Sequence, residues 1–228
     1  MKKPIWLLDI LYALASLGCL LGRLSDAPLD QQLDYSCKPL LMPILALRFY
    51  WSLPQNARKN DLLFVLALLF AWGGDVALML GDTYFILGLG SFLLMQLLYS
   101  YLFFQRRSWS SFLGRRPIFA PLVLSLAFGF YFLALPKLLA DPILPFAVAI
   151  YALALGSMSV LALMVYKKQA AKILGALGLG AFLFLISDLM IGLNAFVYPN
   201  FFLAGFGIMS TYTLGQWLIV WAYPKLNS

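Results

Sequence analysis

The sequence predicts an all-α protein, a polytopic transmembrane helix bundle of eight spans with the N-terminus and the C-terminus cytoplasmic. Three observations lead there. Hydrophobic residues fill 63% of the 228 positions and charged residues only 11%, against roughly 45–50% and about 25% in soluble domains. The apolar stretches are continuous and lack the period-two alternation of a membrane β-barrel, so helices are the spanning element. The cations also alternate from loop to loop, as the positive-inside rule requires.

The apolar runs cover residues 5–22, 37–51, 62–80, 84–104, 117–135, 143–166, 173–193 and 201–223. Crossing the hydrocarbon takes about 20 residues. The second run is short and reads as a span of little tilt or a partly re-entrant segment. Short loops make sequential helices antiparallel neighbours. Met1-Lys2-Lys3 ahead of the first run resembles the start of a signal peptide. No small-residue cleavage site with a soluble domain behind it follows, so the run is read as the first span.

With the N-terminus inside, the inner side receives Lys2, Lys3, Arg48, Arg58, Lys59, Arg106, Arg107, Arg115, Arg116, Lys167, Lys168, Lys172 and Lys225. The outer side receives Arg23, Lys38 and Lys137, so the bias is thirteen to three. The outer loops instead carry Asp26, Asp30, Asp34, Asp82 and Asp141. An even number of spans preserves this alternation, and the basic inner loops fit a bacterial inner membrane. The net charge of +7 therefore reports topology. No nucleic-acid partner is expected, and the basic segment FQRRSWSSFLGRR reads as a topology determinant. Cys19 and Cys37, near the ends of successive runs, leave a disulfide open, but two buried free thiols are the expected state.

The chain reads as a single transmembrane domain over 1–228. A weak four-plus-four helix repeat, about 1–116 and 117–228, is suggested by GGDVALML…FILGLGSF and ISDLMIGL…FFLAGFGIM. In each an Asp lies in the outer half of one helix and a G-x-G follows in the next. A duplication would place a site at the repeat interface; close helix packing explains the glycines equally well.

Two carboxylates are out of place. Asp75 lies in FAWGGDVALML and Asp188 in FLFLISDLMIGL. An ionisable group at such depth is costly unless paired, neutral or facing water, and so reads as functional. Asp75 stands seven residues before Asp82, and Asp188 six before Asn194, which puts each roughly 10 Å below the outer surface. Two acids at equal depth on parallel helices are expected to meet in one cavity. The alternative is that each only cross-links helices. Asp9, near the inner end of the first helix, reads as structural, within reach of water or Lys3.

Lys38 in CKPLLMP ends the second helix near the depth of the acids. It either snorkels to the headgroups, holds a phosphate, or keeps one Asp ionised. Pro39 and Pro43 are expected to loosen the helix there and shape a pocket. Gln96, Tyr151, Asn194, Tyr212 and Gln216 recur inside later helices, where polar side chains usually hold helices together. Asn194, nearly two turns beyond Asp188, is expected at the cavity mouth.

The chain has no histidine, and all nine of its acids are aspartates. That excludes a Ser-His-Asp triad and the histidine-ligated zinc chemistry of intramembrane hydrolases. Buried acids in a helical scaffold remain compatible with an enzyme, with a small proton- or cation-coupled transporter or lipid-moving protein, and with a non-catalytic scaffold.

The segments KPLLMPILAL, LLFAWGGDVALML, FILGLGSFLLMQLLY, LGALGLGAFLFLISDLMIGLNAF and MSTYTLGQWLIV resemble, in order, those of the YhhN-like lysoplasmalogenase family of eight-span membrane proteins. The match covers about two thirds of the chain, and the G-D followed later by S-D is its most specific part. One departure is Gln96, where many members carry a histidine; a group that cannot titrate there shifts weight onto the two aspartates. The resemblance implies hydrolysis of the vinyl ether bond of lysoplasmalogens (lysoplasmenylcholine or lysoplasmenylethanolamine) to a fatty aldehyde and a glycerophospho-base. The expected partners are the lysophospholipid substrate and the lipid bilayer. Such a bond breaks by protonation at carbon and trapping of the oxocarbenium ion by water, which needs a general acid and a nearby negative charge. Asp75 and Asp188 are the catalytic candidates. Lys38, Gln96, Tyr151, Asn194, Tyr212 and Gln216 are the substrate-binding candidates. The scheme requires no metal and no organic cofactor.

Overall fold

The computed structural model describes residues 4–24, 28–53, 59–108, 119–165 and 171–226, with backbone alone at 28, 59, 60 and 82. Lys2, Lys3, Asp26, Arg58, Arg115, Arg116, Lys167 and Lys168, which the charge pattern assigns to loops and the N-terminus, lie outside the described residues. Among the described residues there are eight α-helices and no named strand. They are α1 (Ile5–Leu21), α2 (Pro28–Ser52), α3 (Lys59–Met79), α4 (Phe85–Phe104), α5 (Phe119–Leu138), α6 (Leu144–Met164), α7 (Ala171–Gly192) and α8 (Ala204–Ala222).

Five of these helices, α3 to α7, are long and apolar enough to cross a membrane. The other three fall short for separate reasons. α1 is apolar but only 17 residues long, about 26 Å against a hydrocarbon core of about 30 Å. α2 carries Asp30, Asp34, Lys38 and Arg48. α8 is diluted by glycines, hydroxyls and Gln216. The outward faces are apolar even on α1, where Trp6 is 65% and Leu14 60% exposed. A contiguous apolar stripe of this kind needs lipid or a partner to cover it.

The chain divides into two compact units, Met1–Tyr99 with Asn227–Ser228, and Ser100–Leu226. The division falls within α4.

In the first unit α2 differs from its sequence expectation. It begins at Pro28, nine residues before the apolar run, and stays helical through Pro39 and Pro43. Its early turns carry exposed Gln31 and Gln32, and Asp30 sits in the first turn, where the helix dipole favours a negative charge. Proline at 43 removes the N–H that would bond the Pro39 carbonyl. That carbonyl instead accepts the Trp72 indole N–H of α3 at 3.0 Å. The helix is pinned to α3 there rather than loosened. A second tie runs from the Tyr35 hydroxyl to the Met79 carbonyl, 3.2 Å.

α1 and α2 are clamped at both ends by ion pairs. Arg48 donates to Asp9 through Nε at 2.5 Å and Nη2 at 3.4 Å. Asp9 is therefore structural, as its position suggested, with Arg48 as a partner. At the other end Arg23 Nη2 lies 2.5 Å from Asp34 Oδ2. Gly22 allows that approach, since a Cβ on it would sit 2.5 Å from the Asp30 carbonyl oxygen. Cys19 and Cys37 are free thiols, Cys19 buried as expected and Cys37 only half-buried.

In the second unit α7 and α8 cross at two glycines. A Cβ on Gly180 would meet the Gly215 carbonyl oxygen at 2.8 Å, and one on Gly215 the Gly180 carbonyl oxygen at 2.9 Å. Such backbone approach is how helices associate where lipid offers no hydrophobic drive. α7 ends in a π-helical turn, Leu193–Val197. Asn200 and Leu203 in the following loop both have positive φ, 55° and 57°, a conformation that disfavours leucine.

Candidate active site

Asp75 is 2% exposed within the first unit. Two glycines precede it and bring α4 against α3. A Cβ on Gly74 would sit 2.6 Å from the Phe92 ring, and one on Gly73 2.9 Å from Ser91 Oγ. The Ser91 hydroxyl donates to the Phe70 carbonyl at 2.6 Å. Opposite lies α2, whose Lys38 Nζ is 4.0 Å from Asp75 Oδ1. Lys38 is itself only 7% exposed. Its ammonium group therefore lies in the interior beside Asp75. The Tyr35 and Trp72 ties, above and below on the α2–α3 contact, hold the two helices in that register. Tyr12 of α1 and Tyr99 of α4 are buried, and Tyr12 lies within electrostatic range of both Asp75 and Tyr99.

Asp188 lies within the second unit, on α7, and is 7% exposed. The Tyr151 hydroxyl of α6 donates to its Oδ2 at 2.6 Å, a buried bond. Beside the pair is a cavity of about 20 Å³, walled by Ala127 and Phe130 of α5, Val148, Tyr151, Ala152 and Leu155 of α6, and Asp188 and Leu189 of α7. A single water needs about 10–15 Å³ measured this way, so the space has room for about one water. The neighbouring Ser187 hydroxyl donates to the Ile208 carbonyl at 3.0 Å, which fixes this turn of α7 against α8.

Of the residues singled out in the sequence, the structure brings Lys38 to Asp75 and Tyr151 to Asp188. Asn194 is not in the wall of the Asp188 cavity. It sits in the π-helical turn, and its Oδ1 accepts the Asn200 backbone N–H at 2.9 Å. Six residues of helix carry a side chain about 600° round the axis, roughly 120° from the acid's face, so the near-two-turn spacing did not suffice. Tyr212 of α8 is buried with its ring centroid 6.0 Å from that of Phe184. Gln216 of α8 and Gln96 of α4 are fully buried. The sequence reading passed over Trp72, Tyr35 and Tyr12. Only the proline spacing carried a signal for the first, because a carbonyl deprived of its N–H must find another donor.

Residues 33–223 match the YhhN family. The chain belongs to that family. The matched stretch contains every candidate residue of this YhhN member and leaves α1, with Asp9, outside it. No curated protein and no solved structure matches the chain.

Proposed function

We propose that this YhhN family member is a multi-pass membrane hydrolase that cleaves the vinyl ether bond of lysoplasmalogens, releasing a fatty aldehyde and a glycerophospho-base. The observation that carries the reading is the presence of two buried carboxylates in apolar helices, Asp75 with Lys38 beside it and Asp188 accepting from Tyr151. Buried aspartates in apolar helices are expensive and seldom retained without a task. The lysoplasmalogenase resemblance of the flanking segments supplies the substrate class.

The two environments suit different tasks. Asp188, beside a neutral phenol and a one-water space, is assigned the general acid. Its proton goes to the β-carbon of the vinyl ether, and the α-carbon becomes an oxocarbenium ion. Water adds to that carbon and returns a proton to the carboxylate. The resulting hemiacetal collapses, breaking the C–O bond to glycerol and leaving the aldehyde. Asp75, beside an ammonium group in its own unit, keeps the catalytic candidacy the sequence gave it, and its replacement by asparagine tests that. Tyr212 and Gln216, buried on α8, keep the substrate-shaping roles the sequence gave them. The N- and C-termini are placed in the cytoplasm of a bacterial inner membrane, with eight spans, on the charge pattern of the loops.

A second reading, a proton- or cation-coupled transporter, is favoured by the buried Lys38–Asp75 pair, a usual element of proton relays. One experiment separates the two. Detergent-purified protein is incubated with a lysoplasmalogen and free aldehyde is measured, while the same preparation in sealed vesicles is assayed for proton and lipid flux. Aldehyde release that vanishes in Asp188→Asn supports the hydrolase. Flux without aldehyde refutes it.

A further inference from the structure

The second unit holds a larger space between α5, α6 and α7, about 440 Å³ in volume. That falls in the range of about 300–1,000 Å³ occupied by small-molecule sites. Phe119 and Val123 of α5, Ser159 and Leu163 of α6, and Gly175 and Phe182 of α7 are among its walls. The Ser159 hydroxyl donates to its own helix at Leu155, 2.9 Å, and so presents no unmet polar group. Gly175 is informative by contrast with Gly180. A Cβ on Gly180 would strike backbone, whereas one on Gly175 meets nothing within 4 Å. Helix contact therefore explains the first glycine's partner but not Gly175, which opens onto empty space.

This space lies next to the Asp188 cavity along the same helices. Both are walled by the same three helices. On α5 the step from Val123 to Ala127, and on α6 from Ser159 to Leu155, is one turn, about 6 Å. The apolar space lies toward the N-terminal ends of α5 and α7, and the acid lies at its other end. An apolar chamber about one helical turn from the walls of a space beside a carboxylate has the layout of a site for a molecule with a long apolar part and a reactive polar end.

We propose that the chamber binds the hydrocarbon chain of a single-chain lipid, with the polar end of that lipid at Asp188 and Tyr151. The identity of the reactive bond rests on the hydrolase reading; the chain site does not. Bilayer and chamber are equally apolar, so the chamber gives little affinity. It gives position: the chain's length sets which bond stands beside Asp188, and placement of the reacting bond is what lowers the barrier. The site therefore selects by chain length.

The test uses the purified full chain with a lysophosphatidylethanolamine that carries a diazirine near the end of a C16 acyl chain. Photolysis and mass spectrometry map the adducts. They are expected on the α5–α7 walls, near Val123 and from Gly175 to Phe182, competed by unlabelled C16 lysolipid and poorly by C8. Gly175→Phe, whose ring would grow into the chamber, is expected to reduce labelling at least tenfold. It should also shift the C16-to-C10 preference in aldehyde release at least tenfold toward C10. Adducts scattered over outward faces such as Leu14, or labelling that survives Gly175→Phe, overturn the proposal. Focused labelling by a protein that releases no aldehyde upholds the chain site and removes the hydrolase reading. Aldehyde release with scattered labelling does the reverse. If Gly175→Phe does not fold, the adduct map of the unaltered chain decides.

Discussion

The Tyr151 hydroxyl lies 2.6 Å from Asp188 Oδ2, and the bond joins α6 to α7 where both residues are buried. An intramolecular hydrogen bond contributes about 0.5–1.5 kcal/mol net. If it orients the carboxyl for proton delivery, its loss appears in turnover. Tyr151→Phe is expected to lower kcat for aldehyde release roughly two- to tenfold, with KM little changed. Asp188→Asn should abolish release while the melting temperature in detergent moves little. A Tyr151→Phe protein that melts earlier but turns over normally would reduce the tyrosine to a packing role.

Lys38 and Asp75 are both nearly inaccessible, at 7% and 2%. Removing one member of a buried pair leaves the other charge in apolar surroundings, at a cost of about 3–5 kcal/mol. Lys38→Met should therefore destabilise strongly, and so should Asp75→Asn. The double variant should recover most of the loss, yet remain without activity. Thermal melts across this cycle measure the coupling. Additive losses would mean that the two side chains are independent.

Trp72 supplies the donor that proline at 43 denies to the Pro39 carbonyl. Trp72→Phe orphans that carbonyl, and the expected loss is about 1–3 kcal/mol. Pro43→Ala restores an ordinary helical N–H for it. The Trp72→Phe, Pro43→Ala protein should thus be more stable than Trp72→Phe alone, by chemical or thermal denaturation. No rescue would show that the indole acts through its bulk.

Gly180 and Gly175 lie on one helix and should respond in opposite directions. Gly180→Leu forces a side chain into the Gly215 backbone and should cost at least the 1–3 kcal/mol typical of overpacking. Gly175→Ala adds a methyl where nothing lies within 4 Å. It should stabilise α7 by up to about 1 kcal/mol through helix propensity. Paired melts check the contrast.

Much of the architecture was legible in the sequence, and for one reason. In lipid every backbone group must be satisfied within its own segment, so an apolar run specifies a helix almost regardless of its neighbours. The runs at 62–80, 84–104 and 143–166 reappear within a few residues as α3, α4 and α6. The acids Asp75 and Asp188 stood out for the same reason, as charges where the solvent is hydrocarbon. Tertiary structure alone decided their partners. Lys38 and Asp75 are 37 residues apart in sequence, and so are Tyr151 and Asp188. Which faces turn toward each other depends on glycine contacts, on a proline-freed carbonyl and on helix crossing. None of these has a period along the chain. Asn194 shows the limit: a spacing of nearly two turns suggested the acid's face, whereas its amide oxygen, in a π-helical turn, accepts the Asn200 N–H.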